Sequence, residues 1–373
     1  MKTLLCLFSA FAFFTFVEAT PREIATPTIV IKPKVKPGWL VFSPNGKLLA
    51  VTPDRDDTIK LWDTETGQMK GRIYSPPAQL VGSADVYWAF AGLGGPTFSP
   101  DGRTLTAPDF SAREFRLWDV ETGRMALAVK GISDYCYPEF SPDGHLLALP
   151  LGALGLKMWD LATRQLRSWN PDGIKGVKEL TFEPDGRTFW ITVFSDDKPH
   201  YSLEHIDLDS GDVISRIIPE AGKRFWHRLT PDGKTIATIS DRRIKLWKAA
   251  TGQLLAVVEN PKSYISSHSF GPDGQTWVSG SEGGGVSLWK RDTAELIANL
   301  EGKSDGFGKF SPDGALLVTE GSQGLSLRDP HTGELKQLLT GVGYPFAFSR
   351  DGSKLAATSG DRTISLWNIV RSN

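Results

Sequence analysis

Apolar and polar residues along this chain fall into short runs that end at Gly, Pro or Asp. LLALP (146–150), TIATIS (235–240) and QLLAVV (253–258) are representative: five or six residues, alternating or continuously apolar. Runs of that length, bounded by turn residues, predict β-strands.

The pattern repeats. FSPNG begins at Phe42, FSPDG at Phe98, FSPDG at Phe140, FEPDG at Phe182 and LTPDG at Leu229. FGPDG at Phe270, FSPDG at Phe310 and FSRDG at Phe348 complete the series, with successive spacings of 56, 42, 42, 47, 41, 40 and 38 residues. A second motif follows each copy: IKLWDTETG (59–67), FRLWDVETG (115–123), LKMWDLATR (156–164) and LEHIDLDSG (203–211). It continues as IKLWKAATG (244–252), VSLWKRDTA (286–294), LSLRDPHTG (325–333) and ISLWNIV (364–370). Eight strictly alternating copies of each motif define a structural repeat.

Each unit reads as four strands. One ends at the Phe, a second follows the PDG turn, a third carries the LW, and a fourth follows the TG turn. In S-P-D-G, proline presets the second turn position and glycine accepts the left-handed backbone that closes a bulged hairpin. D-x-x-T-G turns the next corner through Asp or Thr side-chain bonds and a terminal Gly.

With both motifs in view, residues 27–370 resemble the WD-repeat β-propellers. The resemblance implies an all-β ring of four-stranded antiparallel blades around a central channel. Counting strands gives the same closure independently. There are eight third strands but seven fourth strands inside the chain, and the β-rich stretch 27–32 (PTIVIK) supplies the missing one. First and last segments then share a blade, which removes the open edges of a linear array. The expectation is a single eight-bladed propeller; the count is seven if the unit around LEHIDLDSG or LSLRDPHTG is not a blade.

The sequence departs from the family in one respect. Its usual Gly-His pair ahead of each blade is absent, and those places read VGSAD, VKGIS, NPKSY and LEGKS. Asp56, Asp241 and Asp361 match the family's Asp, and Trp62, Trp118, Trp159, Trp247, Trp289 and Trp367 match its Trp. Without the His, these rows are expected to serve packing and turns.

The N-terminus changes the picture of where the protein works. MKTLLCLFSAFAFFTFVEA has a charged start at Lys2, an apolar run from Leu4 to Val17, and small residues at Val17 and Ala19. That is a secretory signal layout with cleavage after Ala19, leaving 20–373 as the propeller domain. The run is shorter than the ~20 residues a spanning helix needs, so no stable membrane insertion is expected after cleavage. An uncleaved segment would instead act as a tether. The expected location is extracytoplasmic, either periplasmic or secreted. Cys6 leaves with the signal, and Cys136 is then alone, so the mature domain has no disulfide.

A net charge of −1 gives no basic face for nucleic acid. No G-x-S-x-G elbow, H-E-x-x-H helix or paired-Cys pattern occurs. Of the six His residues, His227 and His268 share a register two residues before the Phe position (Leu229 in one repeat). They are expected as polar residues near the channel mouth rather than metal ligands. Gly283, Gly284 and Gly285 precede no helix, so they read as a hairpin loop rather than a phosphate cradle. Neither a metal nor another cofactor is expected.

Loop lengths locate a binding face. The PDG and TG turns are nearly constant, whereas both sizeable insertions, 74–94 and 194–201, fall at the opposite, top end of the blades. Insertions gathered on one face of a repeat protein mark its binding face. The register three residues before the Phe position lies at that end and holds Trp39, Tyr137, Trp226 and Phe307. Tyr135 and Tyr344 are close by, and Tyr87 and Trp88 lie in the insertion. These rings either pack between blades or form a rim suited to a peptide, protein or glycan. One register further in, Glu139, Arg228 and Lys309, with Thr97, Thr181 and Ser269, are candidates to line the channel.

The favoured expectation is a non-catalytic, exported scaffold that binds a protein or peptide across the top face, as a monomer or with weak self-association. The alternative is a propeller enzyme, or a binder of a small ligand, glycan or metal, using the channel mouth.

Overall fold

The computed structural model describes residues 26–34, 36–53, 58–74, 95–109, 113–131, 138–169, 176–195, 200–220, 223, 225–240, 242–259, 265–281, 285–302 and 307–369. Within them the chain forms eight four-stranded antiparallel sheets arranged as a propeller. Seven blades follow chain order, from blade one (37–74) to blade seven (308–340). Both degenerate units are blades: His200–Asp207 and Gly324–Arg328 are third strands of blades four and seven.

Blade eight takes three strands from 342–368 and its fourth from Ile29–Ile31, which pairs with Ile364–Asn368. The expected ring closure is what the sheet shows. Ile29 faces Leu366 and Ile31 faces Ile364, while Thr28 donates its backbone N–H to the Leu366 carbonyl at 2.8 Å.

The recurrent turns form as their chemistry dictates. In blade two, Asp101 Oδ1 accepts the Arg103 N–H at 3.0 Å, and Ser99 Oγ accepts the Thr104 N–H at 2.9 Å. Gly102 then adopts φ 74°, a left-handed conformation that side chains disfavour. At the other hairpin, Asp63 Oδ1 accepts the N–H groups of Glu65 and Thr66 at 2.9 and 2.8 Å. Asp143 does the same turn duty, accepting the His145 N–H at 3.0 Å, and His145 is exposed.

The core lies between blades rather than within one. Ala50, Ile59, Leu61 and Ile73 of blade one pack against Phe98, Leu105 and Trp118 of blade two. The corresponding cluster at the seam joins Ile31, Ile364 and Leu366 to Leu40, Leu49 and Val51 of blade one. First strands are innermost, and those of blades one and eight, and of six and seven, touch. The antiparallel meander puts second-to-third and fourth-to-first connections at one end, the top. The long stretch after Tyr74 departs from that end, but the expected insertion at 194–201 does not form a long connection. Its residues lengthen the second and third strands of blade four, Thr188–Ser195 and His200–Asp207, which are separated by four residues.

Candidate functional site

Two groups of side chains gather on the innermost strands. The first is polar and spans blades three to six. In the first strand of blade four, Val177–Phe182, a register shift between Val177 and Glu179 precedes a buried carboxylate. Glu179 Oε2 accepts the His227 N–H at 3.0 Å and lies 3.3 Å from His227 Nδ1. Its Oε1 accepts Arg228 Nη1 at 3.0 Å. Thr192 Oγ1 shares His227 Nδ1 at 2.8 Å. Burial alone would raise the Glu179 pKa, but His227 and Arg228 hold it at about 2. The carboxylate is therefore ionised and ties blade four to blade five.

Glu139 plays a parallel part between blades three and four: its Oε1 accepts the Phe182 N–H at 3.1 Å. Desolvation pushes its pKa to about 7, opposed by that hydrogen bond and by the charge of Arg228. His268 is driven the other way, to about 3, by desolvation and then by Arg228, so its ring is neutral at physiological pH. Neither His stands free at the channel mouth as the sequence suggested. His227 is fully buried between blades four and five, and His268 borders Ala237, Ile239 and Ile244 of blade five. Their register points into the preceding blade, where Leu40 and Leu180 stand in other repeats. Among the described residues, no three His, Cys, Asp or Glu side chains converge to hold a metal.

The second group is aromatic and spans blades seven, eight and one. Phe307 stacks on Tyr344 with centroids 5.2 Å apart, and Trp39 meets Tyr344 edge-on at 6.1 Å. All three rings are partly buried. The Trp39 ring also lies against Gly95 of the next blade, where a Cβ would come within 2.9 Å of it. Three of the predicted rim residues thus form one cluster, at the top end where their strands begin. Trp226 is partly buried at the start of the first strand of blade five, apart from that cluster. Tyr87, Trp88, Tyr135 and Tyr137 lie outside the described residues.

Of the polar candidates, Glu139 and Arg228 are partly buried and share the network around Glu179, whereas Lys309 is exposed. Glu179 stands in the same register as Trp39 and Phe307, three residues before Phe182, but sequence reasoning assigns no role to it or to Thr192. The available signal was an acid occupying a row otherwise held by aromatic and small residues.

The WD domain, G-beta repeat family model matches residues 38–63, 252–290 and 339–368. Those segments fall in blades one, five to six and seven to eight. Among curated proteins, the chain is 28% identical over 271 residues to the WD repeat-containing protein 26 homolog of Arabidopsis thaliana, covering 71% of this chain and 43% of that protein. It is 26% identical over 303 residues to the WD repeat-containing protein WDS homolog of the same plant, covering 77% and 53%. An uncharacterized WD repeat-containing protein of Synechocystis sp. is 25% identical over 145 residues, covering 38% and 40%. The chain spans about half the length, or less, of these curated relatives. The chain is thus an eight-bladed β-propeller that is similar, over three segments, to the WD-repeat family.

Proposed function

We propose that this propeller is a non-catalytic scaffold that holds a protein or peptide partner across its top end. The observation that carries this reading is the Phe307–Tyr344–Trp39 cluster, three partly exposed rings contributed by three blades at the end from which the long connection after Tyr74 departs. Aromatic side chains gathered this way supply large, rigid contact area at small entropic cost. The test is capture of a partner from the native extracytoplasmic fraction by the wild type and by Trp39→Ala, Trp226→Ala and Phe307→Ala variants. The variants are expected to lose the partner at near-parental melting temperature, while Leu255→Ala on an outer strand retains it. Retention by all three top-end variants contradicts the proposal.

The same reading places the scaffold outside the cytoplasm, on the strength of the signal-like segment 1–19. Terminal sequencing of the protein from its native cells is expected to begin at Thr20; a chain that retains Met1 and remains in the cytoplasm contradicts export.

A further inference from the structure

The innermost strand of blade seven, Gly308–Phe310, sets one basic side chain apart from the polar network of its neighbours. Gly308 and Phe310 are buried on one side of that strand, against Val278 and Val286 of blade six. Lys309 points the other way and is exposed, which on an innermost strand means toward the propeller axis. Among the described residues, no carboxylate or carbonyl pairs with its ammonium.

The buried acids of the polar network are engaged with other partners, and Glu320, in the second strand of blade seven, lies against Gly343 and acts on Tyr344 of blade eight. Glu179 is occupied by Arg228 and by the His227 N–H, and Glu139 accepts the Phe182 N–H. Around an eight-bladed ring, Glu139 in blade three stands opposite Lys309 in blade seven. The surrounding protein lowers the Lys309 pKa by desolvation although its side chain still reaches solvent. An ammonium ringed by protein and lacking a counter-charge gains most from an incoming anion.

Phe307 lies two residues nearer the top end, next to Tyr344 and, through it, Trp39. Residues two apart on an extended segment project from the same side. An apolar shelf therefore stands one step above the free cation.

Building on the scaffold reading above, we infer that Lys309 receives a carboxylate of the bound peptide while the Phe307–Tyr344–Trp39 rings cover the apolar side chain beside it. The carboxylate belongs to an acidic side chain or to the peptide's C-terminus; both present the same two oxygens to the ammonium.

The test uses the full chain and a tethered peptide library in which one Asp or Glu adjoins one Phe, Tyr or Leu. Each member is paired with its Asn or Gln counterpart. A second set ends in a free carboxylate, and each of its members is paired with its C-terminal amide. Acidic members are expected to bind, with the neutral counterparts at least about tenfold weaker, the scale of one charge-assisted hydrogen bond. The pair that shows the difference identifies the source of the carboxylate. Lys309→Met removes that difference without weakening the neutral peptides, and Lys309→Arg preserves it; melting curves of both variants check that they fold. Equal binding of acidic and neutral members, discrimination that survives Lys309→Met, or a library in which no acidic member binds each overturns the inference. Should capture of the native partner still depend on Phe307 and Trp226, the scaffold reading stands while the carboxylate assignment falls.

Discussion

Glu179 accepts the backbone N–H of His227 at 3.0 Å across the boundary between blades four and five, and its other oxygen takes Arg228 at 3.0 Å. One buried carboxylate thus fixes two successive residues of the neighbouring innermost strand. Removing it leaves a buried N–H and a guanidinium without their acceptor.

Glu179→Ala is therefore expected to cost about 3–5 kcal/mol, the range for breaking one side of a buried ion pair. The pH dependence has a definite sign. Its folded pKa of about 2 lies below the ordinary 4.5, so the contribution is present above pH 4.5 and is lost as pH falls toward 2. Urea unfolding of wild type and Glu179→Gln between pH 2 and 6 checks this. The two stability curves converge at the acid end if the account is right, and run parallel if it is wrong.

Glu139 gives the opposite sign. Its folded pKa of about 7 stands above the ordinary 4.5, so the stability tied to its protonated form is present below pH 4.5 and lost as pH rises through 7. Glu139→Gln keeps an acceptor for the Phe182 N–H and never ionises. Its stability relative to wild type is expected to climb by up to about 3 kcal/mol between pH 5 and 8. A difference that stays flat over that interval shows that Glu139 does not titrate there.

Ring closure rests on a three-residue strand. Ile31 is 1% exposed and packs with Ile364 and Leu366, while Ile29 lies where a Cβ on Gly67 would come within 2.8 Å. Ile31→Ala is expected to cost about 2–5 kcal/mol through the cavity it leaves. Deleting 27–32 bares the edge of the last third strand and is expected to cause aggregation as well as a lower melting temperature. Scanning calorimetry and light scattering on the deletion variant decide the matter; melting like the parent would show that the strand does not close the ring.

The blade count was legible because turn chemistry repeats even where strand residues drift. In blade four, Ile206 holds the place of Trp62 and faces Phe189, as Trp62 faces Leu49. His205 holds the place of Leu61 and stacks on Trp190 at 4.4 Å, the residue that replaces Ala50. Glu183, standing where five of the other repeats carry Ser, accepts the Trp190 indole N–H at 3.0 Å. The unit looked degenerate because several positions changed together. The Phe307–Tyr344–Trp39 cluster was legible in part, since Trp39 and Phe307 share a register and Tyr344 lies beside it. The bond from Glu179 to His227 was not: it joins residues 48 apart and depends on a strand irregularity that periodicity does not reveal.

Hydroxyl-radical footprinting of the full chain, alone and with its captured partner, tests the central claim most directly. Trp39, Trp226 and Phe307 report on the top end, while Met69 and Met125, 41% and 55% exposed, report on the outer strands. The account predicts that the partner suppresses oxidation of the three rings and leaves both methionines unchanged. Protection of Met69 and Met125 with the rings unaffected would place the partner on the outer wall and contradict it.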